Sequence, residues 1–550
     1  MNRPAGDAAQ GEEMERNPGG QAGRRWLRMA VALGMAVCSC AALAQQTAGA
    51  GQTPGAKTEP GANTHITPEQ AQKLFGMVDE LLKFSSEETG LPVKQEVKRQ
   101  LTTRAAVESY LKEKLDDDQD AKRMQRSEIV LKKFGLLDRD FDLKPFLLQL
   151  LGEQIEAYYD PKTKTVNLLD WVSPEEQKPV LAHELTHALQ DQHVGLEKWA
   201  DQTPEDVSTD AAGDTEHLAK DEMDDAREAV TEGQATAVMM DNVLKPMGRS
   251  LIKDPEVVEM IQQQMTGSSD SPVMARAPLL LSESLLFPYR DGLSFEQDVW
   301  MDRGRDAAFA GALDRPPSST WEIMNPREYE KGRRARVPLL PNLHPLVDAE
   351  YQPYDIGQVG ELDLHILAKI YGGEQAARDL TPAWDGGLYW AGQRRNATAA
   401  EKATTKSVAL LYLSVWKSAG SAEQFAAMYV NALGRQFSGL KPDKDAERMA
   451  PATNGEMEQV FRTDEGPVVV TTRGRMVFVA ETFDLALARR LAGLILDAQG
   501  TGAMQLAQSG AAGNGQDGEP RSTLTGNLMR FLGSCGAMRA AVNPAMRAVR

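Results

Sequence analysis

The chain has 550 residues, 41% of them hydrophobic, and a formal net charge of −18. That length supports a sizeable core and two or more structural units. An acidic balance with no basic cluster beyond the N-terminus excludes a nucleic-acid-binding role.

Arg24, Arg25 and Arg28 precede an apolar stretch over 29–44 that closes on Ala42-Leu43-Ala44. A charged region, a hydrophobic region and small residues, in that order, predict a signal peptide over 1–44 cleaved before Gln45, and therefore an exported protein, periplasmic or secreted. The stretch is short for a membrane span, which needs about 20 residues. Met14 is an alternative start. Val37-Cys38-Ser39-Cys40 faintly resembles a lipoprotein box, and lipidation of Cys40 would tether the protein to a membrane at the cell envelope. Cleavage leaves only Cys535, so neither an intrachain disulfide nor a thiolate zinc site can form, and any metal must be held by His and carboxylates.

Residues 45–66, rich in Gly, Ala, Thr and Pro, read as a flexible linker. An N-terminal helical region over 67–150 follows, with apolar spacing that predicts helices at 67–84, 93–115, 127–134 and 143–151. From Glu153 to Leu169 the pattern becomes that of two strands joined at Asp160-Pro161, a hairpin whose edge could pair with an extended peptide. Ser173-Pro174-Glu175-Glu176 looks like a capping box, but Pro179 is costly inside a helix, so a short turn is expected to end near Lys178 and Pro179 to open the next helix.

That helix carries Val180-Leu181-Ala182-His183-Glu184-Leu185-Thr186-His187-Ala188-Leu189. Positions i and i+4 share a helical face, so His183 and His187 can reach one ion with Glu184 beside them. Two imidazoles and one further ligand leave zinc a position for water, whose pKa falls towards about 7, and Glu184 stands where the base that takes its proton must be. Leu181, Leu185 and Ala188 would bury one side, and Glu184 is the one charged residue from Val180 to Leu189. Three of the seven histidines fall between 183 and 193.

His193 stands at one spacing for a third ligand. If the helix continues, at about 100° per residue it lies roughly 240° round from His187 and faces away from the ion. It then reads as a residue of the last helical turn, with Gly195 as the stop. The other candidates lie on a helix running from about Arg227 to Leu244, where Glu228 and Glu232 stack on one face. Gly233 costs about 1 kcal/mol there against alanine, which implies close approach of a second helix. The segment between, from Leu196 to Asp225, is acidic and turn-rich and reads as a solvated connector and not a calcium loop.

The decapeptide around His183 resembles the extended signature of the zincin metallopeptidases. His193 matches the spacing of the metzincin branch, but Gln190 replaces the glycine with which metzincins turn the chain back to the metal. Glu232-Gly233-Gln234-Ala235-Thr236 resembles the gluzincin branch, whose third ligand is a glutamate on a later helix, often followed by Gly-x-Ala. The resemblance implies His183, His187 and Glu232 as zinc ligands, with Glu228 as competing ligand or as partner of a ligand histidine. Phe287-Pro288-Tyr289-Arg290-Asp291-Gly292 and the segment Pro316 to Tyr329 extend the likeness to a group of poorly characterised prokaryotic zincin-like proteins, covering roughly Gln154 to Tyr329. Asn325 stands where that group carries His.

Beyond the core, 336–499 reads as a small accessory α+β unit. A helix is expected from Ser421 to Gly434, then strands at 468–472 and 476–480 joined at Arg473-Gly474, then a helix at 483–496. Residues 500–550 read as a mobile tail with a short helix at 524–532. The expected fold is α+β and predominantly helical, with a zincin-like core over 151–335 and a small sheet edge. The expected function is zinc-dependent hydrolysis of a peptide or protein substrate. Tyr289, Tyr329, His217 and His344 are candidate donors to the developing oxyanion. A non-catalytic zinc-binding envelope or scaffold protein and a metal-dependent hydrolase of a non-peptide substrate remain alternatives, and the oligomeric state is unknown.

Overall fold

Leu74, Val78, Leu81 and Leu82 recur at helical spacing and are all buried on α1 (Pro68–Thr89), which Thr67 caps through a reciprocal bond with Gln70. A computed structural model describes residues 66–499, except 117, 201, 203–207, 266–270 and 450–455, together with the backbone of 505 and 506. The signal peptide expected over 1–44, the expected linker up to residue 65, Cys535 and the tail with the helix expected at 524–532 lie outside the described residues. The chain divides after Asn63, and everything below belongs to the C-terminal part. No helix among the described residues is long and apolar enough to cross a membrane.

The fold is α+β and predominantly helical. After α1 come β1 (Lys98–Thr102), α2 (Arg104–Asp116), α3 (Asp118–Lys133), α4 (Leu143–Gln154), β2 (Ala157–Asp160) and β3 (Thr165–Leu169). The helix expected over 93–115 is thus split. Residues 98–102 pair in parallel with β3 while β2 pairs with it antiparallel, giving the order β1-β3-β2. Every residue of β3 is buried, so its backbone groups need partners on both sides, and that demand overrides the helical preference of Lys98, Arg99 and Gln100. The hairpin turn is held by Asp160, whose carboxylate accepts from the Lys162 amide and the Thr163 hydroxyl, and Lys164 takes a left-handed φ of 57°.

Helix α5 spans Pro174–Val194 with Pro179 inside it, so Pro179 does not open the helix. The start is anchored ahead of the proline: the buried Gln177 side chain accepts from the Leu169 amide and donates to the carbonyls of Leu169 and Val172. Only the Glu175 carbonyl, near the first turn, loses a partner to the proline ring. Helix α6 (Ala211–Lys220) leads to α7 (Met223–Leu244), which is buried almost throughout. Helices α8 (Glu256–Met265) and α9 (Leu279–Arg303) complete this half.

Helices α5 and α9 both pack on α7, and α1 packs on α5, where the Ser85 hydroxyl donates to the Ala182 carbonyl. The partner that Gly233 implies is α9. A Cβ on Gly233 would sit 2.3 Å from the Gly292 carbonyl carbon, and one on Gly292 would sit 2.2 Å from the Ala229 oxygen.

Beyond residue 335 the architecture turns to sheet. Strands β4 (Tyr351–Gln358), β5 (Trp384–Arg394), β6 (Val408–Trp416), β7 (Lys441–Pro442), β8 (Glu456–Thr463), β9 (Gly466–Arg473) and β10 (Met476–Glu481) form a seven-stranded sheet in the order β4-β5-β6-β10-β9-β8-β7. Helices α10 (Glu361–Leu380, broken at Gly373), α11 (Ala419–Gln436) and α12 (Leu485–Gln499) accompany it. One face, with Tyr412, Val470 and Val479, shares a single core with the N-terminal helices and α5. The other, with Leu411, Val469 and Phe478, packs on α12. Helix α11 is capped by Ser418 and not by Ser421, and it passes through Gly434 to end at Gln436, with Leu433 before the glycine and the capping Phe437 after it both buried.

Gly233→Ala and Gly292→Ala are each expected to destabilise the protein by about 1–3 kcal/mol, the range for overpacking a filled core. Urea unfolding of the two variants checks this, and unchanged midpoints would refute the close contact.

Candidate metal centre

The i, i+4 spacing on α5 sets the two imidazoles edge to face with ring centroids 4.7 Å apart, and Glu232 reaches them from α7. His183 Nε2 lies 3.0 Å from Glu232 Oε2 and 3.0 Å from His187 Nε2, and His187 Nε2 lies 3.5 Å from the same carboxylate oxygen. These three are the one group among the described residues whose ligand atoms could hold a metal ion. A tetrahedral zinc with bonds near 2.0–2.1 Å places its ligand atoms about 3.3 Å apart, so the donor set fits the ion in both chemistry and spacing.

Four ionisable groups meet here out of water, and each answers differently. Burial pulls His183 down to about 4. Burial also acts against charge on His187, but the Glu232 carboxylate outweighs it and raises that imidazole to about 9. Desolvation pushes at Glu232 too, yet His187 and His183 hold it down to about 2. Glu184 lacks such a cation in direct contact, and burial lifts it to about 7. The His187 side chain is 13% exposed against 1% for His183, so the centre opens to solvent past His187.

Glu184 Oε2 accepts from the Tyr159 amide of β2 at 2.6 Å. Strand β2 is the outer strand of its sheet, so the carboxylate takes an amide that the sheet leaves free. Asp191, two turns along α5, fastens the same hairpin by accepting from the Tyr159 hydroxyl and the Lys164 ammonium, both at 2.7 Å. Tyr289, from α9, stacks near His183 at 6.2 Å. Its buried hydroxyl is turned towards the Glu232 carboxylate, and burial and then the carboxylates of Glu232, Glu228 and Glu184 push its ionisation well up.

Other sequence candidates are not brought in. Glu228, one turn before Glu232 and half-buried, stands outside the triad. His193 is directed to Asp314 at 2.9 Å. His217 lies by Asp221, His344 by Asp214 and Asp348, and the Tyr329 hydroxyl donates to the Arg315 carbonyl. Asn325 joins the Trp321 carbonyl to the Glu361 carboxylate of α10. A cavity of about 800 Å³ beside Arg104, Glu153 and Trp171 does not include the triad.

Two polar residues carry more than sequence reasoning assigned them. Gln190 meets His187 Nδ1 through Oε1 at 2.8 Å, and Gln234, inside the Glu-Gly-x-Ala-Thr segment, meets Gln190. Their signal is two amides among buried apolar neighbours, since an unpaired amide there is costly.

Comparison of the chain with protein-family models, with curated proteins and with solved structures returns no match.

Away from the centre, burial raises Glu361 to about 8 against the Asn325 hydrogen bond and the Lys417 charge. A carboxyl raised in the folded state binds more protons there than in the unfolded chain, so its contribution falls as pH rises from its unfolded value near 4.5 through 8. Glu361→Gln should flatten the loss of stability between pH 5 and pH 9, measured by urea unfolding. An equally steep loss in the variant would contradict this.

Proposed function

We propose that the chain is an exported zinc metallopeptidase of gluzincin type, with His183, His187 and Glu232 as ligands and Glu184 as general base. The observation that carries the reading is the convergence of two imidazole nitrogens and one carboxylate oxygen from α5 and α7, with Glu184 on the turn between the histidines. Zinc bound there supplies Lewis acidity towards a carbonyl and an activated water. Glu184 takes the proton, and burial, which raises its carboxyl above the usual range, suits a group that must accept a proton and return it to the leaving amine. A zinc held only for structure has no need of such a base.

An extended peptide lying along β2 would compete with Glu184 for the Tyr159 amide, so substrate alignment frees the carboxylate for its work. The Tyr289 hydroxyl, buried beside Glu232 with its ring against His183, is the donor best placed to meet a developing oxyanion. Tyr329, His217 and His344 are engaged elsewhere and have no part in the reading.

Glu184→Gln should retain zinc and lose cleavage of a mixed peptide library, whereas His183→Ala should lose both. Cleavage at the wild-type rate by the Glu184 variant would sink the assignment of the base. Glu232→Ala should weaken zinc binding far more than Glu228→Ala, and the reverse order would reassign the ligand. For Tyr289→Phe we expect a fall in kcat of about 10²–10³ with KM little changed, the range for one oxyanion donor; steady-state kinetics on a single cleaved peptide decide it.

A further inference from the structure

His187 reaches the metal centre at the end of a hydrogen-bond chain whose directions are fully determined. Gln234 Nε2 donates to the carbonyls of Ala308 and Phe309, at 2.9 and 3.0 Å, in a π-helical segment spanning Ala307–Gly311. Carbonyls only accept, so the nitrogen is the atom that faces them, and Oε1 is left to accept from Gln190 Nε2 at 2.9 Å. Gln190 places its other hydrogen on the Thr231 carbonyl at 3.0 Å, so its own Oε1 must be the atom that faces His187 Nδ1 at 2.8 Å. A carbonyl oxygen only accepts, and Nδ1 therefore carries the proton. Nε2 is the nitrogen left to face His183 and Glu232.

Both amides are fully buried, so neither can exchange these partners for water. Reversing either would set an NH₂ group against a donor and an oxygen against a carbonyl. The other ligand imidazole has no such support, because His183 Nδ1 is buried without a hydrogen-bond partner. Orientation by hydrogen bonding therefore rests on one side of the site.

We propose that Gln190, clamped by Gln234, is the positioning residue that presents His187 to the metal in a single tautomer and so sets the metal affinity of the site. This rests on the zinc reading above and adds to it the residue that tunes the site. It also gives Gln190 a role that a glycine at that position could not fill, since glycine has no side-chain acceptor.

The test measures zinc dissociation constants by competition with a chromophoric chelator for wild type, Gln190→Leu and Gln234→Leu. The absorption spectra of the cobalt-loaded proteins and the unfolding temperatures of the metal-free ones are recorded alongside. Both variants should bind zinc about 10- to 100-fold more weakly, the range for losing the hydrogen-bond partner of a ligand histidine, and shift the cobalt bands. Wild type that binds zinc while both variants bind within about threefold of it would overturn the positioning role and leave the metallopeptidase reading standing. Wild type that takes up no zinc would overturn both. Should the leucine variants fail to fold, ring ¹⁵N spectra of zinc-loaded wild type decide: an exchange-protected proton on His187 Nδ1 is expected, and a bare Nδ1 refutes the assignment.

Discussion

The contact of Gly233 with Gly292 is the constraint from which the centre follows. Two helices can bring their backbones this close only where neither carries a side chain, and here both α7 and α9 offer glycine at the crossing. Helix α7 is thereby held deep in the fold, with Glu232 adjoining the crossing and turned to α5. The same approach carries Tyr289, three residues before Gly292, over the face of His183. One crossing thus sets both the carboxylate and the phenol relative to the imidazoles.

Burying these groups is costly unless their charges balance. The centre meets this by splitting roles: Glu232 and His187 each favour the charged form of the other, burial favours the neutral form of His183, and burial raises Glu184, which accepts from one backbone amide. A divalent cation is the natural partner of such a set, since two neutral imidazoles and one carboxylate leave its charge only partly compensated and an open position for a further ligand. The hairpin belongs to the same electrostatic unit. Asp191 fastens it through Tyr159 and Lys164, and Glu184 fastens it through the Tyr159 amide, so the base and the sheet edge are positioned by one helix.

Much of this was legible in the sequence wherever the signal is local. The spacing of His183 and His187 places them on one face, Gly233 announces a close neighbour, and the turn residues after Asp160 mark the hairpin. Long-range demands were not legible. Residues 98–102 look helical by composition and become a strand because β3 needs a second partner. The large sheet is legible only at its 468–472 and 476–480 pair, for a related reason: β6 is buried on both faces, so Val408–Leu413 is a continuous apolar run with no alternation to distinguish strand from buried helix. Pro179 looks like a boundary because its cost is local, whereas Gln177 anchors the helix start through contacts with the chain before it.

Gln190 shows most clearly where residue-by-residue reading stops. Against the metzincin pattern it registers as a missing glycine, and that absence correctly argues that α5 continues and carries His193 away to Asp314. What spacing cannot supply is the positive consequence. A helix that continues past His187 places position 190 one turn further along the same face, where a glutamine can accept from the histidine ring and donate to the helix that brings Glu232. The substitution that closes one route to a third ligand therefore joins α5 to the helix that supplies another. Helix continuation, histidine orientation and the docking of α7 are, at this residue, consequences of a single side chain.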